Sequence, residues 1–185
     1  MHLHLPNDIK VLAPSEKQIA YTKENFGMAI AEVLAKEATH GMYQILGAIE
    51  TLVGDKLLRQ RPTTVAERLV FGGTWLAREV QNGGFDQHFF NTAGDFWKDV
   101  LDGLVLIGDR DGLADFQEVL SIFPDSTPSS ERFRRQRQLN ALERENEEQR
   151  SAHFERVSQK YYVKPFLNWE MVLSYVKSHP DQFSF

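Results

Sequence analysis

The chain has no cysteine among its 185 residues. That excludes a disulfide framework, a thiolate nucleophile and a cysteine-ligated zinc. No apolar run approaches the length that crosses a bilayer, so no membrane partner is expected. The polar opening Met1-His2-Leu3-His4 lacks the apolar core of a signal peptide, and the expectation is a cytoplasmic protein. Nothing alternates at period two for long enough to demand a sheet. Positive charge is also scarce in one region. Residues 79–125 hold only Lys98 and Arg110 against ten carboxylates, a balance of −8 in a chain whose net charge is −5.

What is present is ordinary for a globular chain: 42% hydrophobic and 25% charged residues. The length suits one domain with a substantial core. Helical periodicity dominates. Phe26, Ile30, Val33 and Leu34 predict a helix from about Ser15 to Glu37, with Ser15 as cap after an irregular segment over residues 1–14. Met42, Ile45, Leu46, Ile49 and Val53 predict a second, stopping near Gly54. Val65, Leu69, Leu76 and Val80 predict a third, capped by Thr63 or Thr64 and ended at Asn82-Gly83.

A short helix with Phe85, Phe89 and Phe90 packed inward is expected next, its start capped by Asp86. Asp95 then caps a helix whose apolar residues, from Phe96 to Ile107, lie on nearly every face, which predicts the buried centre of the fold. Leu113 to Leu120 form a further helix, and residues 125–130 a loop. From Glu131 to about Gln159 a long charged helix is expected, supported by pairs such as Glu131/Arg135, before a last amphipathic helix opened by Pro165 and Asn168. The fold class is all-α, a single compact domain of about seven helices. Residues 15–125 form its core, and residues 126–185 pack on the same domain.

The segment from Glu79 to Trp97 joins a glycine turn to four phenylalanines, a tryptophan and regularly spaced polar residues. Its Glu79, Asn82-Gly83-Gly84-Phe85, Phe89-Phe90-Asn91 and Gly94-Asp95, with Leu106-Ile107-Gly108 and Phe123-Pro124, resemble the signature of the DMP-type family. That resemblance implies a helical fold and a homodimer whose acidic surface imitates DNA and occupies a transcription factor or other basic DNA-binding protein. Carried onto this chain, the partner-binding candidates are Asp86, Asp95, Asp99, Asp102, Asp109, Asp111 and Asp115. The signature residues themselves are expected to serve structure.

Other constellations read as structure. Asn82-Gly83-Gly84 lacks the Lys-Ser/Thr of a phosphate-binding loop and reads as a helix-stop turn. Glu79, Asp86, His88 and Asp95 show no pair of metal ligands one turn apart, so His88 reads as a surface or satisfied core histidine. His2 and His4 could only scavenge metal weakly. Arg132-Phe133-Arg134-Arg135-Gln136-Arg137 has a nucleic-acid look. Glu143, Glu145, Glu147 and Glu148 follow it, which favours a salt-bridged solvated helix with no direct nucleic-acid contact. No Ser/His/Asp ordering with a nucleophile turn is visible. Neither a catalytic residue nor a cofactor is expected, and the reading leans away from an enzyme. Two function classes stay open: a protein-interaction domain with an acidic face, and a small-molecule-binding or enzymatic domain built around the aromatic signature.

Overall fold

Local signals set most helix ends. The computed structural model describes residues 9–185, and within them the chain is all-α with no strand. The helices are α1 (Ile9–Leu12), α2 (Glu16–Phe26), α3 (Ile30–Ala35), α4 (Glu37–Leu58) and α5 (Val65–Phe90), followed by α6 (Trp97–Ile107), α7 (Arg110–Leu120), α8 (Arg132–Val163) and α9 (Trp169–Ser178). Short 3-10 turns lie at Thr92–Phe96, Pro124–Ser126 and Pro180–Gln182. Ser15 and Thr64 each close a capping box with the residue three positions on, Gln18 and Glu67. Such a box satisfies two of the donors that every helix start leaves open.

Glu67 does more than cap. Its carboxylate is fully buried and accepts from Thr64 N at 3.0 Å, Lys56 Nζ at 2.7 Å and Ser184 N at 3.0 Å. One side chain thereby ties α4, α5 and the C-terminal segment together. Burying a carboxylate is tolerable only with such complete pairing.

Several expectations are corrected. The segment before Ser15 is not irregular throughout, because Ile9–Leu12 form one helical turn that buries Leu12; His2 and His4 lie outside the described residues. The helix expected from Ser15 to Glu37 is two helices, since the chain leaves helical geometry at Gly27. Gly54 does not stop α4. It lies inside the helix, where an added Cβ would stand 2.6 Å from Pro14 Cδ, so it marks a close approach of the N-terminal segment.

The centre of the fold is α5, not the helix after Asp95. It packs against α4, α6, α8 and the 3-10 turn that follows it, and Leu69, Val70, Phe71, Leu76, Val80, Phe85 and Phe89 are all buried. In α6 only one face is covered: Val100 and Leu104 are buried while Val105 is 61% exposed. Apolar residues all round a helix predict burial only when neighbours surround it. A helix as long as α5 offers more length for neighbours than the eleven residues of α6.

Candidate functional site

The signature lies on the second half of α5 and the turn beyond. α5 breaks at Gly83 and Gly84, and Gly84 stands at φ 74°. A side chain is strained there, and glycine is not. The break is clamped by α8 from outside. Phe85 N donates to Ser158 Oγ at 3.0 Å, and Tyr162 Oη donates to Val80 O at 2.8 Å. Both groups belong to backbone that the break frees from the helical ladder. Glu79 bridges the break on the other side, accepting from Gln87 Nε2 at 3.0 Å and Asn91 Nδ2 at 2.8 Å.

The end of α5 and the following turn form a cup for one arginine. Arg135 of α8 is 0% exposed. Its Nε donates to Phe89 O at 2.6 Å, Nη1 to Ser129 O at 2.7 Å and Nη2 to Asn91 O at 2.7 Å. Its Nη2 also lies 2.7 Å from Asp95 Oδ1. A planar, permanently charged fork suits several fixed acceptors at once, which an ammonium could not match. Burial lowers the Arg135 pKa, and Asp95 opposes that shift. Two expectations fall here. Asp95 does not cap α6, whose start carries no side-chain cap. Arg135 does not pair with Glu131 on a solvated face, and Glu131 instead meets Arg134 at 3.0 Å.

The aromatic rings of the signature divide. Phe85 stacks with Phe166 and meets Tyr161 edge-on, while Phe89 packs on Phe123 and Phe154. These rings belong to the hydrophobic core. Phe90, expected inside, is 45% exposed, because helical geometry turns it a hundred degrees from Phe89. His88 is fully buried, and neither ring nitrogen has a hydrogen-bond partner among the described residues. It is therefore a core histidine without the satisfaction expected of one. Burial, with Arg135 nearby, lowers its pKa to about 3, so the ring is neutral.

The seven partner-binding candidates do not share one environment. Asp109 is buried and caps α7, accepting from Gly112 N at 2.9 Å. Asp95 is buried against Arg135. Neither presents a carboxylate to a partner, because the fold has already used both. Asp86 does not cap a helix but pairs with Arg150, Asp99 with Arg68 at 2.6 Å, and Asp115 with Lys160 at 2.8 Å. Desolvation raises the pKa of both Asp86 and Asp99 against those arginines. Among the described residues Asp102 pairs with Lys98 alone, one turn before it at 2.7 Å, and Asp111 is exposed with no ion pair. Glu118 joins Arg156 and Lys160, whose hydrogen bonds hold its pKa low.

Cations contributed by α5 and α8 thus enter the acidic region from beyond its ends. Sequence reasoning missed Arg135, and the only signal for it was its place in a run of arginines. Among the described residues no three of His, Asp and Glu are grouped to hold a metal, and no helix is long and apolar enough to cross a membrane.

A central helix broken at paired glycines, bridged by Glu79 and locked by a buried arginine, organises this all-α protein. The family model described as DMP19-like protein matches residues 63–179, which include every residue of that arrangement. The chain belongs to the DMP19-like protein family. No curated protein and no solved structure matches it.

Proposed function

We propose that this chain is a protein-interaction domain that engages a basic, DNA-binding partner through the carboxylates left at its surface. The carrying observation is the balance of residues 79–125, ten acids against two cations, with Asp102, Asp111 and Asp125 reaching solvent. Membership of the family supports the reading, since the resemblance implies a DNA mimic acting on a transcription factor. The pairing of Asp86, Asp99 and Asp115 with cations weakens the field that the bare count of charges suggests. Recognition then rests on Asp102 and Asp111. The homodimer and a cytoplasmic location belong to the same proposal.

The test begins with a partner recovered from the native host. Exposed charges are screened beyond about 8 Å at physiological ionic strength, so association should slow as salt rises. The double variant Asp102→Lys/Asp111→Lys should slow association more than it speeds dissociation, with the circular dichroism spectrum unchanged. DNA bound by the partner should compete with the chain. Binding that is indifferent to salt, to the reversals and to DNA would sink the proposal. Sedimentation velocity tests the dimer, and a monomer at all concentrations would remove that part.

A further inference from the structure

A cavity of about 410 Å³ lies between α2 and α4, outside the residues the family model matches. Its walls include Lys17 and Tyr21 from α2 and His40, Gln44 and Gly47 from α4. Three independent features make it unlike a packing defect. Gly47 lies inside α4, where glycine costs about 1 kcal/mol relative to alanine. Nothing stands within 4 Å of where its Cβ would be, so no packing within the chain requires the glycine. The cavity occupies the space that a larger residue would fill.

The second feature is Thr22, 5% exposed and lining the same cavity. Its hydroxyl makes no hydrogen bond among the described residues. An acceptor bound in the cavity could take a hydrogen bond from this hydroxyl. The third feature is charge. The lining holds Lys17, which has no ion pair among the described residues, and no carboxylate. The apolar part of the wall comes from Tyr21, Ala48 and Phe26, the last with the His40 ring 4.8 Å away.

We infer that this cavity is a binding site for a small organic anion: an apolar, aromatic-sized body on Gly47 with one carboxylate at Lys17 and within reach of Thr22. The size falls within the range of small-molecule sites, and the few polar groups on an apolar wall are typical of them. An apolar body recovers burial energy from the wall, while the carboxylate answers Lys17.

The test is calorimetric titration of the full chain with naphthaleneacetate and with its neutral counterpart, naphthaleneacetamide. The carboxylate should bind saturably and about tenfold more tightly than the amide, the margin of one charge-assisted contact. Lys17→Gln should erase that margin and leave the weaker apolar binding. Gly47→Leu fills the cavity with a better helix former, so it should keep or raise the melting temperature while abolishing binding of both compounds. Absence of saturable binding by the carboxylate overturns the inference. So does equal affinity for the two compounds, or binding that survives Gly47→Leu.

Discussion

Two glycines interrupt two long helices with nearly the same backbone, Gly41 in α4 at φ 70° and Gly84 in α5 at φ 74°. Around Gly41 there is open space, with nothing within 4 Å of an added Cβ. Around Gly84 the chain is crowded: the same Cβ would meet Ser158 Oγ at 2.8 Å, and α8 holds both flanks of the break through Ser158 and Tyr162. The backbone conformation is a local choice that glycine makes cheap. What the break is for depends on what surrounds it. At Gly41 the chain only changes direction, whereas at Gly84 the freed backbone becomes the docking site for another helix.

The sharpest way to break this contrast is to remove the lock on the crowded side. Arg135→Ala leaves Asp95 buried without this partner and three carbonyls without their donor. Such a loss costs about 3–5 kcal/mol. Arg135→Lys should recover only part of that, since a point charge cannot serve the same acceptors. Urea unfolding measures both. A loss under 1 kcal/mol for the alanine variant would mean that the cup does not hold the fold.

The next effect is one of pH. His88 titrates at about 3 in the fold against 6.5 when unfolded. Above 6.5 both states are neutral and its contribution is complete. As pH falls from 6.5 towards 3 the unfolded chain binds a proton that the native chain refuses, so stability declines by about 1.4 kcal/mol per unit. Paired carboxylates add their own acid dependence. The quantity to measure is therefore the difference in slope between the parent and His88→Leu, and parallel curves would show that His88 does not titrate against the fold.

The two glycines themselves give the direct comparison. Gly84→Ala combines positive φ with a collision and should cost about 2 kcal/mol or more. Gly41→Ala carries the strain alone and should cost about 1 kcal/mol. Thermal and urea unfolding of the pair decide it, and equal losses would mean that α8 yields easily at Ser158. The smallest effect belongs to the surface: Asp102→Lys should change stability by no more than about 0.5 kcal/mol, as expected for an exposed pair. A larger loss would make Asp102 a structural residue and withdraw it from the interaction surface.

Much of this was legible before the structure. The Ser15 cap, a threonine cap at 63 or 64 that the fold places at Thr64, the glycine turn before Phe85 and the all-α class all follow from short-range rules, because caps and turns are satisfied by neighbours within four residues. The core positions Phe85, Phe89 and Leu104 followed from periodicity. Centrality did not: α6 looks more apolar than α5, yet α5 holds the middle, because surrounding neighbours rather than composition bury a helix. The acidic candidates were legible as a count and illegible as a surface. Arg68 and Lys160 reach Asp99 and Asp115 from helices remote in sequence, so pairing could not be read along the chain.

The division has one physical reason. Backbone preferences, capping and hydrophobic periodicity act over a few residues, and by themselves they determined a helical chain with a turn at Gly83-Gly84. Charges act through whatever the fold brings within reach. Arg135 lies in a run of arginines that looks solvated. Only the folded chain, placing Phe89, Asn91 and Asp95 around it across forty or more residues of sequence, turned that arginine into the lock of the signature.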